Sequence, residues 1–115
     1  MGKDPESFLY LTTRGRTTGK PRQIEIWFVA HQGAFYLIAE MGESAGWVQN
    51  LRAHDQVEFS VGTREANERD VPRTRARARV LDDRREPALA AQVRQLMLGK
   101  YGWDHGLVVA IEPTA

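Results

Sequence analysis

Six segments of this chain have the residue pattern of a β-strand, and only two helical segments separate them. The strand patterns cover residues 7–13, 23–29, 34–39, 56–61, 74–81 and 106–113. A parallel sheet needs a crossover, usually a helix, after nearly every strand, whereas short turns can join antiparallel neighbours. Two helices are too few for a parallel sheet of this size. The sequence therefore predicts a mainly β fold, an antiparallel β-barrel of about six strands with two peripheral helices.

Side-chain periodicity identifies the individual elements. In residues 23–29, Ile24, Ile26 and Phe28 fall on one face of a strand. The helical segments are AGWVQNLRAH, residues 45–54, and a later run that ends near Tyr101. In the later run, apolar residues recur at intervals of three and four, as in an amphipathic helix: Leu89, Val93, Leu96, Met97 and Tyr101.

Length and charge limit the classes of protein to which the chain can belong. Its 115 residues fit one domain, residues 1–115, and a net charge of +1 argues against a nucleic-acid partner. The sequence has no cysteine, which excludes disulfides and thiolate metal sites. It also has no segment long and apolar enough for membrane insertion. We expect a cytoplasmic protein.

The stretch RGRTTGKPR, residues 14–22, concentrates positive charge between the first two strand patterns. It differs from a phosphate-binding P-loop, because only three residues separate its glycines and a strand rather than a helix follows. Its side chains suit the capture of an anion at a glycine-containing turn. The candidates are Arg16, Thr17, Thr18, Lys20 and Arg22. The alternative is a basic turn that only faces water.

Arginines occupy the outward positions of residues 74–81, whose inward positions are Thr74, Ala76, Ala78 and Val80. This arginine stripe, residues 73, 75, 77 and 79, could follow a nucleic-acid backbone. No aromatic residues that could stack on bases alternate with these arginines. We therefore favour the interpretation that the arginines keep the sheet soluble and pair with acidic neighbours.

Two aromatic residues stand beside a glycine in KYGWDHG, residues 100–106. Tyr101 and Trp103 could wall a pocket for a flat ligand, or they could close the end of the barrel as core residues. The three histidines are widely separated, so the sequence predicts no metal site.

Three separated segments together resemble the deazaflavin-dependent nitroreductase and quinone reductase family of flavin and deazaflavin oxidoreductases. They are FLYLTTRGRTTGKPRQIEIWFV, FYLIAEMG and GWVQNLRAHDQVEFSVG, in that order along the chain. The resemblance implies a split β-barrel, similar to FMN-binding proteins, with a groove for the reduced coenzyme F-420. The phosphate and oligoglutamate tail of this coenzyme are anionic, which would explain the basic turn. FMN is the alternative cofactor.

The resemblance also implies roles for individual residues. The residues matching the phosphate and tail site are Arg16, Thr17, Thr18, Gly19, Pro21 and Arg22, with Lys20 at a variable position of suitable charge. Those matching the helix beside the cofactor are Trp47, Asn50 and Leu51. The chain departs from the family at Glu40 and Met41, which stand where members often carry a Ser-Lys pair.

The implied reaction is hydride transfer from the deazaflavin to a small electron acceptor such as a quinone, an enone or a nitro compound. Tyr101 is the candidate proton donor, and Trp27 and Trp103 are candidate walls of the substrate pocket. Barrels of this type are commonly homodimers. The alternative functions are a non-catalytic split barrel that holds FMN, haem or an apolar ligand, and a nucleic-acid-binding module.

Overall fold

The computed structural model describes residues 8–63, 65 and 72–114. Among these residues, seven strands form one antiparallel sheet and two α-helices pack against it. The strands are β1 (Phe8–Arg14), β2 (Pro21–Ile26), β3 (Val29–His31), β4 (Ala34–Ala39), β5 (Gln56–Gly62), β6 (Thr74–Val80) and β7 (Leu107–Pro113). The helices are α1 (Gly46–Ala53), which follows a 3-10 turn at Gly42–Ser44, and α2 (Pro87–Tyr101). The mainly β, antiparallel fold is confirmed.

The order of strands in the sheet explains why it curls into a barrel. The order is β2-β1-β5-β6-β7-β4-β3, so β2 and β3 lie at opposite edges although they are consecutive in the chain. Only Trp27 and Phe28 connect them. A link of this length spans at most about 11 Å between the Cα atoms of Ile26 and Val29. The two edges of the sheet must therefore approach each other, as in a split barrel.

The same link corrects the prediction of one continuous strand over residues 23–29. Ile26 pairs with Leu9 of β1, whereas Val29 pairs with Tyr36 of β4. Each half of the segment thus joins a different hairpin, and the sheet formed by the described residues has seven strands rather than six. The alternation of apolar residues continues through the break because Phe28 is still buried in the barrel. Periodicity alone therefore gave no sign of the break.

The interior of the barrel is the first of two apolar cores. Its buried members are Leu9, Leu11, Phe28, Leu37, Leu51, Val57, Phe59, Ala76, Ala78, Val109 and Ile111. Leu51 belongs to α1, which packs against β1 and β6. The apolar side of helix α1 therefore fixes the helix to the barrel, and this contact also sets the positions of the other α1 residues.

The second core lies between α2 and the outer side of the sheet at β3, β4 and β7. Its buried members include Tyr36, Ile38, Leu81, Val93, Met97 and Val108. Helix α2 begins at Pro87, a favourable first position, and ends before Gly102, whose φ of +73° is left-handed. The amphipathic helix predicted from the sequence is confirmed. Neither described helix is long and apolar enough to cross a membrane.

The arginine stripe on β6 faces outward, as predicted. Thr74 pairs with the core residue Phe59 and so lies on the inward face, although it is exposed at the start of the strand. Arg79 donates hydrogen bonds to Glu86 at 2.6 Å and to Glu112 at 3.1 Å. The Arg79 guanidinium lowers the pKa of the Glu86 carboxyl. Arg77 lies 3.6 Å from Asp55. Pairing with acidic neighbours is thus confirmed for these two arginines.

Two glycines provide a matched test of the packing between β4 and β7. Gly106 has a φ of +134°, and a Cβ atom there would lie 2.3 Å from the Ala39 carbonyl oxygen. We expect Gly106→Ala to lower the free energy of unfolding by roughly 2–4 kcal/mol. Gly99, within α2, has open space where a Cβ would stand. Gly99→Ala should raise the free energy of unfolding by about 0.5–1 kcal/mol.

Urea denaturation of both variants and the unchanged protein checks this pair. The account of the β4–β7 contact would be wrong if Gly106→Ala unfolded at the same urea concentration as the unchanged protein.

Candidate functional site

The basic stretch singled out in the sequence forms a closed turn between β1 and β2. The Gly15 amide donates to the Lys20 carbonyl at 2.8 Å, and the Gly19 amide donates to the Gly15 carbonyl at 2.8 Å. The Lys20 amide donates to the Thr18 hydroxyl at 3.2 Å. Gly19 has a φ of +73°, which a residue with a side chain rarely adopts. The predicted glycine-containing turn is confirmed.

A single buried side chain, Asn50 of α1, fixes this turn to the barrel. Its Oδ1 accepts hydrogen bonds from the Arg16 amide at 3.1 Å and from the Arg16 Nη1 at 3.0 Å. Its Nδ2 donates to the hydroxyl of Thr13, the last buried residue of β1, at 3.2 Å. Two residues that the sequence assigned to the same site are therefore in direct contact, and the contact orients the guanidinium of Arg16.

The positive charges of the turn face solvent. Arg16, Lys20 and Arg22 are exposed, and none of them forms an ion pair with a carboxylate in the described part of the chain. Thr17 and Thr18 are exposed beside them. Because charged hydrogen bonds to an anion are stronger than neutral ones, this surface suits a phosphate or carboxylate group.

A second feature, which we call the aromatic cleft, lies at the other end of β2. Its volume is about 490 Å³, and three tryptophans line it: Trp27, Trp47 and Trp103. Ile26 also lines the cleft and stands four residues after Arg22 in β2. At about 3.3 Å per residue, the turn and the cleft are about 13 Å apart along this strand. The structure thus brings together the two predicted pocket walls and adds Trp47.

Trp27 is held by contacts from α2 and the segment that follows it. Its ring stacks on Tyr101, with centroids 4.5 Å apart and an interplanar angle of 5°, and Trp103 packs edge-on at 6.1 Å. The Tyr101 hydroxyl accepts a hydrogen bond from the Phe28 amide at 3.2 Å and donates to the Phe28 carbonyl at 3.0 Å. Lys100 Nζ donates to the same carbonyl at 3.1 Å. Tyr101 therefore fixes the link between the sheet edges.

The proton-donor role of Tyr101 stays a prediction, because in this arrangement its hydroxyl donates to the main chain. Leu51 lies in the barrel core, where it can act on the site only by positioning α1. Pro21 and Arg22 begin β2, beside the turn. The described residues contain no group of three or more side chains that could hold a metal ion.

Three further residues line the aromatic cleft, a position that the sequence did not predict for them, although Glu40 and Met41 already stood out as departures from the family. Glu25, whose carboxylate accepts a hydrogen bond from Tyr10 at 2.7 Å, and Met41 line the aromatic cleft. Glu40 lines it as well, at the opposite end of β2 from the basic turn. Strand ends that meet only after the sheet has curled leave no spacing signal in the sequence.

A family model described as F420H(2)-dependent quinone reductase matches residues 2–102 of this chain. No curated protein matches it at a significant level.

Several solved structures share the fold. The heme storage protein HutZ from Vibrio cholerae is 18% identical, with a TM-score of 0.75, over 96% of this chain and 83% of that one. An F420-H2 dependent reductase, FDR-A, is 20% identical, with a TM-score of 0.66, over 97% and 99% of the two chains. An FAD-binding protein from Mesorhizobium loti is 12% identical, with a TM-score of 0.69, over 95% and 82%. At these identities the likeness shows the split-barrel fold.

The contacts of Asn50 predict a specific effect of removing its side chain. Asn50→Ala leaves the buried Thr13 hydroxyl and the Arg16 amide without their partner, so we expect the free energy of unfolding to fall by about 1–3 kcal/mol. Hydrogen exchange at the Arg16 and Gly19 amides should become faster. The control is Gln49→Ala, which loses only a surface hydrogen bond to the Glu43 carbonyl. Equal exchange rates in the two variants would contradict the proposed fixing of the turn.

Proposed function

This chain belongs to the family of F420H(2)-dependent quinone reductases, and on that basis we propose that it transfers a hydride from reduced coenzyme F-420 to a small electrophilic acceptor. The acceptor class is a quinone, an enone or a nitro compound. The observation that supports this proposal best is the placement of a cationic turn and an aromatic cleft at the two ends of β2. An elongated coenzyme with a flat ring and an anionic end has the matching shape and charge.

The residues of the turn fit the anionic part of the coenzyme. Arg16, Lys20 and Arg22 supply three exposed cations without competing carboxylate partners in the described chain. Asn50 orients Arg16 before any ligand arrives, which reduces the entropy lost on binding. Thr17 and Thr18 add hydroxyl donors, and Gly19 supplies the left-handed backbone conformation of the turn. We assign the phosphate and tail of F-420 to this turn.

The aromatic cleft fits the deazaflavin ring and the acceptor. Its volume of about 490 Å³ lies within the usual range for small-molecule sites. When bound, reduced F-420 supplies the hydride and carries the difficult chemistry. Trp27, Trp47 and Trp103 would orient flat molecules by stacking and keep water from the reacting atoms. Glu40 lies at this end, away from the phosphate assigned to the turn.

The positive turn can be tested by titration of the fluorescence of coenzyme F-420 with full-length protein. Arg22 is exposed on β2 opposite Thr13 in the register, so its removal leaves the barrel core intact. We expect Arg22→Ala to weaken binding by about tenfold or more, since hydrogen bonds to charged groups are the stronger class. Affinity of the unchanged protein should fall as salt rises.

The matched control is Arg84→Ala, at an exposed turn before α2. Equal binding by Arg22→Ala, Arg84→Ala and the unchanged protein would exclude the turn as the anion site. Absence of any coenzyme binding, together with no reduction of a quinone, would overturn the proposed reaction.

The hydroxyl of Tyr101 can be tested separately from its ring. Tyr101→Phe keeps the stack on Trp27 but removes both hydrogen bonds to Phe28, so stability should fall by about 1–2 kcal/mol. If the hydroxyl also delivers a proton, kcat should fall by about a hundredfold or more. An unchanged kcat contradicts the proton-donor prediction. Tyr36→Phe, at a buried tyrosine of the second core, is the control for stability alone.

A further inference from the structure

A second cleft, which we call the outer cleft, lies on the outside of the barrel across β1, β5 and β6. Its volume is about 630 Å³, and its charged lining residues are Arg14, Glu58, Arg75 and Arg77. These side chains alternate along their strands with residues of the barrel core, which places them on the opposite face of the sheet. Three guanidinium groups against one carboxylate give the lining a positive charge. The outer cleft shares no lining residue with the aromatic cleft, but it borders the basic turn, whose Gly19 and Pro21 are among its lining residues.

The arginines of the stripe differ in how their charges are used. Arg79 is engaged by both Glu86 and Glu112. Arg77 has only a long contact of 3.6 Å with Asp55, between two side chains that are more than half exposed. Arg75 forms no ion pair with any described carboxylate, even though Glu58 lies opposite it in the register. Arg79 therefore holds neighbouring elements together, whereas the charge of Arg75 is available to a ligand.

Arg14 provides a second available cation from the neighbouring strand. It is exposed at the end of β1 and has no ion pair with a carboxylate in the ranges 8–63 and 72–114. It lies two residues beyond Thr12, so the two side chains project from the same face of β1. Arg14 and Arg75 thus approach the outer cleft from strands on either side of β5.

The side chain of Thr12 supplies an independent indication of a ligand. It lines the outer cleft, it is only 8% exposed, and its hydroxyl oxygen has no hydrogen-bond partner among the described residues. It is the only buried side-chain polar atom in the described part of the chain that lacks one. A buried hydroxyl without a partner destabilises a fold unless another molecule supplies the missing bond.

We propose that the outer cleft binds a small oxyanion, a carboxylate or a phosphate, through the guanidinium groups of Arg14 and Arg75 and the hydroxyl of Thr12. Each of these groups donates hydrogen bonds to an anionic oxygen, and arginine does so in bidentate fashion. A nucleic-acid strand fits less well, because Glu58 stands within the cleft and no aromatic residue lines it. The proposal does not depend on coenzyme binding.

The test uses full-length protein with citrate and pyrophosphate as separate probes, at matched ionic strength. Titration calorimetry should detect binding, and amide chemical shifts should change in β1, β5 and β6. We expect Arg75→Gln to weaken binding by about tenfold or more. Thr12→Val should weaken binding as well, and should raise the thermal midpoint measured without a probe, because it removes the unpartnered hydroxyl. Arg84→Gln is the control and should leave both quantities unchanged.

The outcomes separate the possible sources of the anion. If coenzyme F-420 displaces the probes, the outer cleft binds an anionic group of the coenzyme. If the coenzyme and a probe bind at the same time, the natural anion of the outer cleft is a separate molecule. Either result supports the oxyanion site, and a failure to bind F-420 while citrate still binds would count against the proposed reaction only.

Two results would overturn the proposal. The first is equal affinity of the unchanged protein and Arg75→Gln for both probes, or no binding of either probe. The second is a pair of results for Thr12→Val: its affinity for the probes is unaltered, and its subunit number, measured by light scattering, differs from that of the unchanged protein. A second copy of the chain would then be the hydrogen-bond partner of the Thr12 hydroxyl.

Discussion

The link of two residues between β2 and β3 is the constraint on which the rest of this structure depends. Trp27 and Phe28 join strands that stand at opposite edges of a seven-stranded sheet. The sheet can satisfy that link only by curling, and curling encloses the core of the barrel. Phe28 points into this core, and its main chain is hydrogen-bonded by Tyr101 and Lys100 of α2. The link, the barrel and the second core are therefore mutually dependent.

The same constraint shapes the candidate site. Phe28 is buried in the interior, whereas its neighbour Trp27 is 41% exposed, stacks on Tyr101 and lines the aromatic cleft. Helix α1 then relates the cleft to the basic turn. Trp47 and Asn50 are three residues apart and so lie on neighbouring positions of one helix surface, one facing the cleft and the other bonded to Arg16. A rigid helix thus sets the separation of the two binding regions.

Sequence reasoning was reliable where local chemistry decides the structure. Gly15 and Gly19 identified the turn, because the backbone there needs glycine, and apolar alternation identified most strands. It failed at Trp27, because the alternation continues unbroken across the gap between β2 and β3. It also could not find the contact of Tyr101 with Phe28, since the two residues are 73 positions apart and no periodicity relates them. The lining of both clefts depends on curvature, which only the folded sheet specifies.

The two edge strands have a further consequence for the behaviour of the protein in concentrated solution. Exposed edge strands are the usual starting points for strand addition between molecules, which leads to aggregates. Here β3 has only three residues, and β2 begins with Pro21, which lacks an amide hydrogen, and carries the charges of Arg22 and Glu25. A neighbouring chain finds few main-chain groups to pair with at either edge. The edge strands β2 and β3, which the incompletely closed barrel leaves unpaired on one side, are therefore poor sites for strand addition between molecules.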